Sequence, residues 1–163
     1  MKYINNNFFV EKVSSERLVK KFDTPLYCYS YERLKQNINN FKLNFSKLNP
    51  LICFAIKSNA NLNIIKEIKK LGLGADVVSK GELLQAIKAG INPSKIVFSG
   101  VGKTYSEIEF AVDKKILLIN SESKSEVMTI NKIAKLKKKI VDIGIRLNPN
   151  TDAKTLNKIS TGK

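Results

Sequence analysis

The chain has 163 residues, 43% hydrophobic and 26% charged, the balance of a globular protein of ordinary domain size. No apolar run reaches the length of a membrane span and the N-terminus lacks a signal-peptide h-region, so membrane association is not expected and a cytoplasmic location is. The net charge of +15 raises nucleic acid as a partner, but all except three of the 29 basic residues are lysines scattered along the chain, and arginine-based readers of bases or phosphates are lacking.

In chain order, Phe8-Phe9-Val10 is a short strand candidate, and Ser14 or Ser15 suits the cap of a helix through Leu18 and Val19. After Thr24-Pro25, Leu26-Tyr27-Cys28-Tyr29 is β-like. Ser30 then caps a helix with the one-sided stripe Leu34, Ile38, Phe41 and Phe45. Leu51 to Ile56 is unbroken apolar sequence, the pattern of a strand buried on both faces of a parallel sheet. It stops abruptly at Lys57-Ser58-Asn59. An amine at such a strand end suits Schiff-base chemistry with a carbonyl compound; the plainer reading is a lysine that marks the strand end and reaches into water. Cys28 and Cys53 both lie in strand-like runs, and in a chain without histidine they offer no zinc-site spacing.

From Pro50 onward a unit repeats. Strand candidates at 51–56, 75–78, 95–99, 115–120 and 141–147 alternate with helical patterns. Three of those helices open with a capping-box pattern: Ser79-x-x-Glu82, Thr104-x-x-Glu107 and Ser123-x-x-Glu126. This alternation predicts right-handed βαβ units and a parallel α/β sheet, either open and doubly wound or part of a (β/α)8 barrel. No G-x-G-x-x-G follows a strand, which weakens the dinucleotide-binding version. Polar residues just past the strands mark the functional edge in both folds: Lys57, Ser58 and Asn59; Asp76 and Ser79; Gly100 and Gly102; Asn120; Arg146 and Asn148. A lysine, an acid and an arginine on one edge suit an anionic ligand.

Five blocks then resemble, in order, the alanine-racemase-like (fold-type III) pyridoxal-phosphate enzymes, and most nearly the diaminopimelate decarboxylase family. They are Phe54-Ala55-Ile56-Lys57-Ser58-Asn59-Ala60-Asn61, Gly72 to Leu83, Ile96 to Thr104, Ile119 to Ser123, and Ile145-Arg146-Leu147-Asn148-Pro149. The resemblance spans about Thr24 to Gly162. It implies a TIM barrel that binds pyridoxal 5'-phosphate (PLP) at its mouth, a following β domain, and a homodimer. The implied reaction is decarboxylation of meso-diaminopimelate to L-lysine; alternatives are an ornithine- or arginine-type decarboxylase, or a non-catalytic PLP-binding homeostasis protein. Lys57 would be the catalytic, cofactor-bearing lysine, with Asp76 and Arg146 also binding the cofactor. Glu82, Ser79 and Asn59 would support the site, Glu82 being equally well read as a helix-capping residue.

On this reading residues 24–163 form a PLP-binding barrel truncated after about its fifth strand, and residues 1–23 a segment that packs with the β domain. The family's later histidine, glycine-rich phosphate loop and pyridine-pairing acid have no counterpart here, and Leu156 follows Thr155 where many members carry histidine. Five strands of eight leave two open sheet edges. The chain alone is therefore expected to aggregate readily and to be catalytically silent.

Overall fold

The computed structural model describes residues 1–148; Pro149, Thr155, Leu156 and Gly162 lie outside the described residues. The chain divides into two compact units, Met1–Pro50 and Leu51–Lys163. In the first, β1 (Lys2–Ile4), β2 (Asn7–Val10) and β3 (Val13–Ser14) pair antiparallel in that order. Asn5 and Asn6 make the two-residue turn between β1 and β2, both at positive φ, which asparagine tolerates better than most residues. Ser14 caps α1 (Ser15–Phe22), its Oγ accepting from the Arg17 N–H, and Ser30 caps α2 (Tyr31–Asn44) through the Arg33 N–H.

Glu11 secures the start of α2, accepting from the Glu32 N–H at 2.9 Å and from Ser30 Oγ at 2.8 Å. An anion there complements the helix dipole, and those two donors hold the Glu11 carboxyl below its usual range. The β-like expectation for Leu26-Tyr27-Cys28-Tyr29 fails. The run has no ladder partner among the described residues and stays irregular, since β-forming side chains need a neighbouring strand to make a strand.

The second unit follows the predicted alternation: β4 (Cys53–Ala55), α3 (Leu62–Lys70), β5 (Gly74–Val77), α4 (Lys80–Lys88), β6 (Ile96–Phe98), α5 (Tyr105–Lys114), β7 (Leu118–Ser121), α6 (Lys124–Lys137) and β8 (Ile143–Ile145). The five strands pair parallel in sequence order, with no reversal that would create a doubly wound switch point. The arrangement is that of consecutive β/α units of a barrel wall.

Register sorts the side chains. Phe54, Ala75, Val77, Ile96, Phe98 and Ile119 share one face and pack with Ile65, Leu83, Ala86, Ile108, Ala111, Ile130 and Ile133 from the helices. The other face carries Cys53, Ala55, Asp76, Val97, Leu118 and Asn120, all only half-buried. Burial of Leu51 to Ile56 on both faces is not observed, because β4 is an edge strand; within the run only Ile56 is fully buried. At the opposite edge Ile143 and Ile145 lie on the helix-side face yet are 38% and 61% exposed.

Ser79, Thr104 and Ser123 all act as N-caps, but only Thr104–Glu107 closes the reciprocal box. Glu82 and Glu126 reach one residue further back, accepting from the Val78 and Glu122 N–H at 2.9 Å each. Each carboxylate thereby fixes the turn that leads from a strand end into its helix. Glu126 also accepts, at 2.7 Å, from Lys103, whose side chain is fully buried. The Lys103 ammonium spends its other donors on the carbonyls of Gly100 (2.7 Å) and Asn120 (2.6 Å), so its three protons meet three acceptors. Lys103→Met leaves Glu126 buried without its countercharge and is expected to cost about 3–5 kcal/mol in urea-denaturation stability.

Candidate functional site

The site elements meet at the carboxyl ends of the parallel strands. Lys57 lies in a single 3-10 turn, Ile56–Ser58, that directly follows β4. Ser58 Oγ donates back to the Ala55 carbonyl at 2.7 Å, and the Asn59 N–H closes onto Ile56 O at 2.9 Å, so the turn is rigid while the lysine it carries is exposed. Asn59 extends the device: its Oδ1 accepts from the Asn61 N–H at 3.0 Å, leading into the cap of α3. Among the described residues Lys57 Nζ has no hydrogen bond or ion pair, which leaves the amine available to react.

Asp76 is the register partner of Ala55 on the adjacent strand and faces the half-covered side of the sheet. Its Oδ1 accepts from Ser99 Oγ at 2.6 Å. Cys53 shares this face; burial, and secondarily the Asp76 charge, push its thiol pKa up. Lys57 thus follows β4, and Asp76 lies one residue short of the end of the neighbouring β5.

Ser79 caps α4, accepting from the Glu82 N–H at 3.2 Å, and the Glu82 carboxylate is directed at the Val78 N–H. Both shape the turn that follows the Asp76 strand. Arg146 stands apart from this pair. It follows β8, four strands from β4, roughly 19 Å along the sheet at about 4.8 Å per strand. There its Nη1 donates to Glu122 Oε1 at 3.2 Å with the side chain 51% exposed. Within the described sheet the arginine does not meet Lys57.

Sequence reading left three contributors without a role at this edge. Lys103 is one lysine among many until burial singles it out. Glu107 bridges two helices: Oε1 accepts from the Lys80 N–H at the start of α4, while Oε2 accepts from the Thr104 N–H and hydroxyl. Its capping-box spacing was legible, its second helix was not. Ser99 joins Asp76 across 23 residues of sequence, which no local pattern reveals.

These residues fit PLP. A lysine amine on a rigid turn, unpaired among the described residues, can take an aldehyde, a carboxylate lies on the next strand, and the sheet face between them is only half-covered. A family model described as the pyridoxal binding domain of pyridoxal-dependent decarboxylases matches residues 31–163. The diaminopimelate decarboxylase of Neisseria meningitidis serogroup B is 45% identical over 154 residues, covering 94% of this chain and 37% of that protein. That of Aquifex aeolicus is 44% identical over 162 residues, 99% of this chain and 38% of its own. The crystal structure of diaminopimelate decarboxylase from Helicobacter pylori complexed with L-lysine superposes with a TM-score of 0.87 at 48% identity, over 90% of this chain and 37% of that one. The chain thus spans somewhat over a third of the length of the relatives it matches.

Alkylation of Cys53 by iodoacetamide should reach half its limiting rate at a pH above that of an ordinary thiol. Asp76→Asn should lower that midpoint only in part, since burial is the larger cause; peptide mass spectrometry across a pH series reads both. The Lys80 and Thr104 donors hold the Glu107 carboxyl below its usual range. The stabilisation this brings is complete above the ordinary glutamate pKa and is lost as pH falls through the depressed, folded-state value. Glu107→Gln should accordingly flatten the acid limb of a stability-against-pH curve measured by urea unfolding.

Proposed function

The chain belongs to the pyridoxal-dependent decarboxylase family, matching its pyridoxal-binding domain, and from that premise we propose that the whole protein decarboxylates meso-diaminopimelate to L-lysine with Lys57 as its cofactor lysine. The observation that carries this reading is the Lys57 amine, without a partner among the described residues, on a rigid turn beside the Asp76 strand. The substrate reading is supported by relatives of 40–49% identity named diaminopimelate decarboxylase.

PLP, when bound, draws off the electrons left as the carbon–carbon bond to the carboxylate breaks. Lys57 would hold the cofactor through Nζ at the end of β4, and the same amine would supply the proton that the product receives. The turn hydrogen bonds of Ser58 and Asn59 keep that nitrogen at one height above the sheet, so the proton is delivered to one place. Asp76 supplies negative charge on the adjacent strand, suited to a cationic group of the bound ligand. Glu82 and Ser79 act indirectly, by setting the turn after β5. Arg146 is the cofactor- and acid-ordering cation of the far edge, held in place by Glu122. The whole protein is read as a cytoplasmic homodimer. Residues 24–163 serve as its PLP-binding barrel segment, and residues 1–23 as a segment that packs with a β domain.

Borohydride reduction of the chain incubated with PLP, followed by peptide mass spectrometry, should find the pyridoxyl group on Lys57 and none in Lys57→Ala. In the whole protein Lys57→Ala should cut CO2 release from meso-diaminopimelate by roughly three orders of magnitude or more. The 163-residue chain assayed alone should release none above the Lys57→Ala control. Labelling elsewhere than Lys57, or undiminished turnover without it, would sink the assignment.

A further inference from the structure

Ser99 and Asn120 have no part in the reaction as described, yet both are tied to Asp76. A carboxylate only accepts hydrogen bonds, so the 2.6 Å contact to Asp76 Oδ1 commits the Ser99 hydroxyl proton. The lone pairs of that hydroxyl then face away from Asp76, and there Asn120 Nδ2 donates to Ser99 Oγ at 3.1 Å. Every donor in this chain points the same way, from the end of β7 through the end of β6 to the carboxylate on β5. Such head-to-tail polarisation strengthens each bond.

Two further residues hold the far end. Gly144 is the register partner of Asn120 on β8, and a Cβ at Gly144 would run into Asn120 Oδ1, so the glycine leaves the room in which the amide sits. The buried Lys103 ammonium donates to the Asn120 carbonyl, fixing the strand end that carries that amide. At the near end Ser99 draws Oδ1 toward β6. Among the described residues Oδ2 of Asp76 takes no hydrogen bond, and β4 with the Lys57 turn lies on the side away from Ser99.

We propose that Ser99 and Asn120 are positioning residues: their relayed hydrogen bonds hold Asp76 Oδ1 over β6 so that Oδ2 is presented to the ligand carried by Lys57. This rests on the reading of Lys57 and Asp76 given above. Without the relay the carboxylate rotates freely between β4 and β6, and each ligand that binds must order it.

The test is PLP half-saturation of the full chain, read by borohydride trapping on Lys57, with the thermal unfolding midpoint measured in parallel. Ser99→Ala should weaken half-saturation by roughly tenfold, the scale of one hydrogen bond to a charged group. Ser99→Thr, which keeps the hydroxyl, should restore it. Asn120→Ala should weaken it in the same direction by less, and it carries the test should Ser99→Ala fail to fold. Half-saturation unchanged in both alanine variants would overturn the proposal while leaving the Lys57 reading intact. So would a loss that only follows the fall in thermal midpoint and that Ser99→Thr does not repair. No trapped PLP on Lys57 in the unsubstituted chain would overturn the cofactor reading and this proposal with it.

Discussion

Parallel pairing of β4 to β8 in sequence order governs everything else in the second unit. Residues alternate between the two faces of a strand, and parallel register carries that alternation unchanged from one strand to the next. One face becomes a continuous apolar surface that the helices cover, down to full burial at Ala75, Val77, Ile96, Phe98 and Ile119. The same alternation leaves Asp76, Ser99 and Asn120 on the face the helices do not cover. A one-residue slip in β5 or β7 would move Asp76 or Asn120 into the apolar layer, at the cost of an unsatisfied polar group.

The polar edge is built by repetition of a single local device. After each of β5, β6 and β7 a serine or threonine caps the next helix, and a glutamate at the third helical position folds back onto the preceding backbone. What differs is where the second carboxylate oxygen or a neighbouring cation goes. Glu107 takes the Lys80 N–H of the helix before it, Glu126 takes the ammonium of Lys103, and Glu122 beside it takes Arg146. Adjacent turns after β5 to β8 are thereby linked into a row along the carboxyl edge of the sheet.

Some of the chain's many cations are paired within the second unit. Lys103 is wholly internal and Arg146 is held by Glu122, while Lys137 and Lys139 converge on Asp113 with Glu109 nearby. Lys57 differs from these in having no acidic partner among the described residues.

Strand and helix positions in the second unit were legible because the signals are local: apolar runs of strand length, helical stripes, and the S/T-x-x-E caps. Lys57 was legible from the run that ends on it and from the family blocks around it. By contrast, Leu26 to Tyr29 carried a β signal that no neighbour answered, and Leu51 to Ile56 carried a both-faces signal on a strand that lies at an edge. Both misreadings have one cause, since a strand's burial and even its existence depend on what pairs with it. The sequence by itself determined the β/α order, the caps and the lysine at the end of the first parallel strand, each set by contacts within a few residues. Only the tertiary structure decided that Lys103 is buried, that Arg146 stands four strands from Lys57, and that Ser99 and Asn120 converge on Asp76. Those facts join residues some twenty or more positions apart, and the register of a parallel sheet, unlike a helix cap, is written in no single stretch of chain.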